Sequence, residues 1–171
     1  LTAYYGFRAI ALFSYITVPF WYALIVIGFF GAVDVSGGFE ALWSARPETI
    51  APLGIGITYV FGLYASGCVI TSDVARYGVK KWSGSIAWGT HVLIFMTALL
   101  FAGAAMTLLT GSPNVIVAIA KIGLGVGALL LAILGQWTTN DNNLWSASLA
   151  WINIVGKMNK RQWVIVIGII G

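Results

Sequence analysis

Residues 123–143 read GLGVGALLLAILGQWTTNDNN. Up to Gly135 the run holds only glycine and aliphatic side chains. After it, Thr138, Thr139, Asn140, Asp141, Asn142 and Asn143 stand in consecutive positions. A helix of this kind suits a bilayer as far as Gly135. Beyond that point each polar group costs free energy in hydrocarbon unless it has a partner. An apolar pattern then resumes in LWSASLAWINIV, residues 144–155. The polar group is therefore bracketed, not terminal. Its partners must be water, other helices or a ligand.

The whole chain shares this character. Its 171 residues are 60% hydrophobic and 8% charged, with a mean hydropathy of +0.93. A soluble domain carries about 25% charged residues. An all-α polytopic membrane protein is the class that fits. The 21 glycines agree, because membrane helices pack through small residues. The single cysteine, Cys68, excludes an internal disulfide, and with His91 as the one histidine a typical zinc site is excluded too. The net charge of +4 comes from scattered basic residues without a long cluster. That pattern argues for membrane orientation and against nucleic acid as a partner.

Spans are expected at 9–31, 50–71, 86–109 and 122–144, with a truncated one from 162. Pro19 is expected to kink the first. The chain begins at Leu1 without a signal-peptide pattern, and its last run, WVIVIGIIG, is too short to cross a bilayer, which takes roughly 20 residues. The expectation is an internal piece of a longer transporter-like domain, carrying an incomplete site. With alternating helices, Arg8, Arg76, Lys80, Lys81, Lys157, Lys160 and Arg161 fall on one side, which makes that side cytoplasmic. Arg46 and Lys121 fall on the other, where Lys121 is expected to snorkel to the headgroups.

The second span places glycine, tyrosine and serine at its middle, in GLYASG, residues 62–67. Each helical glycine costs about 1 kcal/mol against alanine. One expectation is a helix broken at this depth, the usual pointer to a transporter binding site. The other is a close helix crossing through Gly62 and Gly67.

In the fourth span, Gly135, Thr138 and Thr139 have the i, i+3, i+4 spacing of one helix face. A carbonyl and two hydroxyls there offer hard oxygens to a hard cation. Sodium fits, and the lack of a carboxylate in the trio argues against a tightly held divalent ion. The alternative is that the threonines bond back to their own helix. Asn140 lies about 100° around the helix and offers an amide to a base edge or a peptide-like ligand. The alternative there is a solvated helix end. Asp141 is the ionisable group beside this face but not on it, so it keeps proton coupling open.

QWTTNDNNLWSASLAWINI resembles the eighth-helix signature of the nucleobase:cation symporter-1 family, the purine and cytosine permeases. The likeness continues upstream. Val18-Pro19 resembles the family's fifth helix, and GGFEAL, residues 37–42, the loop after it. Tyr64-Ala-Ser66-Gly67, followed by TSDVARYG at 71–78, resembles the sixth helix and its cytoplasmic exit. The resemblance covers the chain from about the fifth helix to the start of the ninth. It implies a LeuT-like fold and symport of a nucleobase, cytosine in the first place, with sodium across the inner (plasma) membrane. It implies that Gly135, Thr138 and Thr139 form half of the sodium site. Tyr64 would stack on the base, and Ser66 and Asn140 would bond it. Two departures stand out: Gly135 where some cytosine permeases carry an asparagine, and Tyr64 where they carry a phenylalanine.

Other readings remain open on the residues. A purine, allantoin or hydantoin carrier would share the fold. A non-transporting membrane subunit would use its glycines for packing alone and keep the second helix continuous. An intramembrane enzyme would need an acid or His/Cys cluster that this chain lacks. His91 is expected to make a packing hydrogen bond, Asp73 and Arg76 an interfacial or gating ion pair, and GLGVG at 123–127 a close packing of the fourth span.

Overall fold

In lipid every backbone N–H and C=O must find its partner within the protein, so apolar stretches of this length become helices. The computed structural model describes residues 2–47, 50–112 and 114–170, apart from the side chains of Ser66 and Val69. Among the described residues there are helices and no strands. They are α1 (Thr2–Tyr5), α2 (Phe7–Val35), α3 (Phe39–Ser44), α4 (Leu53–Ala75), α5 (Ser83–Thr90), a π-helical segment (His91–Met96), α6 (Thr97–Thr110), α7 (Val115–Lys121), α8 (Gly125–Val155) and α9 (Lys160–Ile170). The all-α membrane class read from composition is the class observed. Phe7–Val35, Leu53–Ala75 and the continuous rod Ser83–Thr110 are long and apolar enough to cross a membrane. These helices overlap residues 9–31, 50–71 and 86–109, whereas over 122–144 the helix begins only at Gly125. α8 is longer than any of them, at 31 residues, but carries the polar run near its centre. Pro19 lies inside α2, and the helix continues through it.

The helices form two compact units, one of Leu1–Leu24 with Leu129–Gly171 and one of Ile25–Ala128. In the first unit, α8 ends at Gly156, whose φ of +62° suits a residue without a Cβ. α9 then returns along α8. Trp163 stacks on Trp151 at 5.1 Å. Asn159 and Gln162 cap α9 reciprocally, each side chain accepting from the other's backbone N–H at 3.0 and 2.9 Å. The unit's core is Ala3, Ile10, Trp145 and Val164, with Phe7 and Leu144 packed around it. Two of the expected cytoplasmic cations lie on aromatic faces, Lys160 on Trp145 and Arg161 on Tyr4.

In the second unit, glycines on α2 allow close packing. A Cβ at Gly28 would stand 3.0 Å from Ile119 and 3.1 Å from Met106, and one at Gly31 would stand 2.9 Å from Ile122. Ile119 and Met106 are fully buried. Gly28→Val is therefore expected to destabilise the protein by about 1–3 kcal/mol through overpacking. A thermal unfolding scan in detergent checks this, and an unchanged midpoint would contradict it.

Several expectations are corrected in this unit. α4 is not broken. It runs through Gly62 to Gly67 without interruption. Glycine costs of about 1 kcal/mol each are smaller than the several kcal/mol of a backbone group left open in lipid. The irregular segment lies instead in the third span, at His91–Met96. Lys121 makes a contact within the protein. Its Nζ donates to the carbonyls of Thr110 at 3.1 Å and Gly111 at 3.4 Å, which close the end of α6 and lack intrahelical partners. In GLGVG, Gly123 ends α7 at a φ of +89°, and neither Gly123 nor Gly125 faces an atom within 4 Å. Gly123 thus serves a turn, not a crossing. Arg76 turns to Tyr77, donating to its hydroxyl at 3.3 Å and lying over its ring, in place of an ion pair with Asp73. His91 meets Trp88 ring to ring at 5.8 Å, where a packing hydrogen bond was expected.

Candidate functional site

The polar run of α8 belongs to the first unit, and its partners are now visible. Thr139 Oγ1 donates to the Gly135 carbonyl at 2.9 Å. Thr138 Oγ1 lies 3.0 Å from both the Leu134 and the Gly135 carbonyls. Asn142 Nδ2 donates to the Thr138 carbonyl at 3.0 Å. This is the back-bonding open to threonine in apolar helices. It also gathers three oxygens, one carbonyl and two hydroxyls, within one turn. Each hydroxyl oxygen keeps lone pairs for a further partner after donating its hydrogen. Thr138 is half-buried, while Thr139 and Asn140 are exposed.

Asp141, one position on, faces the other way. It is 3% exposed, and its Oδ1 accepts from the backbone N–H of Ala3 at 3.4 Å. Beside it Trp137 Nε1 donates to Thr2 Oγ1 at 3.2 Å. These two contacts fasten α1 to α8, and Gly6, with a φ of +106°, turns the chain from α1 into α2. So the run divides its work. Asp141 and Trp137 hold the protein together, Thr138 and Thr139 bond their own helix, and Asn140 stays outward.

Sequence reasoning did not anticipate Trp21. Its Nε1 lies 3.4 Å from where a Cβ at Gly135 would stand. Residues so far apart in sequence carry no signal of this contact. The 3.4 Å gap is ordinary van der Waals distance, and alanine is the better helix former. Gly135→Ala is therefore expected to leave uptake within about twofold of the parent, because the carbonyl stays in place and helix propensity improves slightly. A large loss in a transport assay would show that the small residue itself matters there.

The other expected site residues lie on α4, in the second unit. Tyr64 is half-buried. Ser66 lies in the helix, but its side chain falls outside the described residues, so the role expected of it has no structural account. Thr71 Oγ1 donates to the Gly67 carbonyl at 2.6 Å and Thr58 Oγ1 to the Gly54 carbonyl at 2.9 Å, so these hydroxyls also close on their own helix. Gly67 meets the Trp88 indole, as a close crossing requires, while Gly62 faces no atom within 4 Å. Among the described residues no group of three or more His, Cys, Asp or Glu comes together to hold a metal.

No family model matches the chain. Over 174 aligned positions it is 27% identical to the cytosine permease of Escherichia coli strain K12, and equally to those of strains O6:H1 and O157:H7. The alignment takes in 100% of this chain and 41% of each relative. The chain thus spans less than half the length of the curated relatives it matches. The relatives carry the name of a transporter and not of an enzyme. Along its whole length, the chain is similar to cytosine permeases.

Proposed function

We propose that this chain forms part of a secondary carrier that brings a nucleobase, cytosine in the first place, into the cell together with a sodium ion. The observation that carries the reading is the oxygen cluster of Gly135, Thr138 and Thr139 on one turn of α8, a 31-residue helix. The end-to-end similarity to cytosine permeases supports it. A hard, weakly held cation suits neutral oxygens of this kind. A neutral base needs an aromatic face and a few fixed hydrogen-bonding groups, which Tyr64, Ser66 and Asn140 would supply. No arginine or lysine lies between Tyr59 and Ser72, and an uncharged substrate needs none. The fold would be LeuT-like, in the inner (plasma) membrane, with the Arg76 side facing the cytoplasm. Because α4 is continuous, its side chains and not an unwound backbone would meet the base.

That same continuity is what a packing-only membrane subunit would show, so a second reading stands beside the first. Uptake separates them. Labelled cytosine is offered to proteoliposomes carrying the protein expressed from its natural reading frame, with and without a sodium gradient. Sodium-dependent uptake supports the carrier. Uptake indifferent to sodium removes the cation assignment. Competition by a purine, allantoin or a hydantoin in place of cytosine moves the substrate within the same class. No uptake of any base by inserted, folded protein supports the subunit.

A further inference from the structure

The glycines of α4 differ in what they face. A Cβ at Gly54, Gly56 or Gly62 would meet nothing within 4 Å, whereas one at Gly67 would stand 2.8 Å from Trp88 Cη2 and 3.1 Å from Cζ2. These atoms form the far edge of a rigid indole, which has no torsion that withdraws its tip alone. Trp88 is backed by His91, whose ring lies 5.8 Å away. His91 is also the first residue of the π segment. A π turn holds more residues than an α turn, so it rotates the part of a helix before it relative to the part after. Here the part before, α5, packs on α4, and the part after, α6, packs on α7 and α3. The π segment lets one rod face two sets of neighbours, and it aims Trp88 at α4. A second close approach lies nearer the cytoplasmic end, where a Cβ at Gly84 would stand 2.6 Å from the Cβ of Ala75. α4 is thus clasped at Ala75 and at Gly67, and Tyr64 lies one turn beyond the second clasp.

We infer that Trp88 is a positioning residue for Tyr64: seated in the notch at Gly67, it sets the rotation and depth of α4 and so the presentation of the ring offered to the base. The inference rests on the proposed role of Tyr64 in binding a nucleobase. Residues three apart on a helix share a face and move as one body, so a shift at Gly67 is passed on to Tyr64.

A double-mutant cycle with two readouts tests it, in the protein expressed from its natural reading frame. The variants are Gly67→Ala, Trp88→Phe and the pair. The first readout is cytosine uptake, separated into KM and Vmax. The second needs no substrate: the rate of maleimide labelling at Tyr64→Cys, with the exposed Cys68 replaced by serine. Gly67→Ala is expected to raise KM about tenfold with little change in Vmax per inserted carrier, and to shift the labelling rate several-fold. Adding Trp88→Phe removes the outer edge of the indole, and is expected to return both values towards the parent. A pair no better than Gly67→Ala, or a Gly67→Ala that changes neither value, would overturn the inference. So would a fall in Vmax alone, because that reports a folding defect. If the parent takes up no base while the labelling shift and its rescue appear, the nucleobase reading fails and the positioning of residue 64 by Trp88 stands.

Discussion

Replacing Thr138 and Thr139 together by valine is expected to remove sodium stimulation of uptake and to weaken sodium binding by at least about tenfold, the range seen when polar support of a bound ion is lost. Valine keeps the branched shape and removes the hydroxyl. Among the described residues the two hydroxyls donate within α8, to Leu134 and Gly135. Their loss therefore breaks no contact between helices, and the variant is expected to insert and fold as the parent does. Sodium titration of cytosine binding, alongside uptake with and without the gradient, reads the effect. The coupling is reciprocal, so the factor by which sodium tightens cytosine must equal the factor by which cytosine tightens sodium. In the valine pair both factors are expected to fall to one together. If cytosine binding stays sodium-dependent, the oxygen cluster is not the cation site.

The second large effect is expected at Tyr64. Stacking of a base on an aromatic side chain is worth about 1–3 kcal/mol by alanine substitution. Tyr64→Ala is therefore expected to raise the KM for cytosine by about tenfold to a hundredfold, at 1.4 kcal/mol for each tenfold. Tyr64→Phe keeps the face and loses the hydroxyl, and is expected to stay within about threefold of the parent if stacking dominates. Saturation curves for both variants decide this. A phenylalanine variant as poor as alanine would show that the hydroxyl, not the ring, does the binding. Equal KM values in all three would remove Tyr64 from the site.

The residues that were legible in the sequence are those whose physics is local. Runs such as residues 9–31 and 86–109 announce helices in lipid because apolar length alone decides the matter. The shared face of Gly135, Thr138 and Thr139 follows from helix geometry, and both hydroxyls do lie within 3.0 Å of the Gly135 carbonyl oxygen. What depends on a neighbour was not legible. Gly62 and Gly67 look alike in the chain, and only the Trp88 indole opposite one of them tells them apart. The π segment at His91–Met96 has no composition of its own, since HVLIFM would sit equally well in an α-helix. The bonds of Lys121 depend on the αL turn at Gly111, which places two open carbonyls within its reach. Asp141 and Asn140 are adjacent, and it is α1 that makes one a buried anchor and leaves the other outward.

The polar centre of α8 also bears on how the protein is made. On the scale that describes insertion by the translocon, an aspartate at the centre of a helix costs about 2.5–3.5 kcal/mol, while each leucine or isoleucine returns only about 0.3–0.6. Asp141 lies near the midpoint of Gly125–Val155, with asparagines on both sides. α2 and the rod Ser83–Thr110 carry no such burden and can partition into lipid one at a time. α8 on its own is a poor substrate for the lateral gate. In the folded unit the Asp141 carboxylate accepts from α1, and Val164 of α9 packs with Trp145. An ordered insertion is the expected consequence, with the apolar helices entering lipid on their own and the helix that carries the oxygen cluster entering together with the partners it keeps in the finished protein.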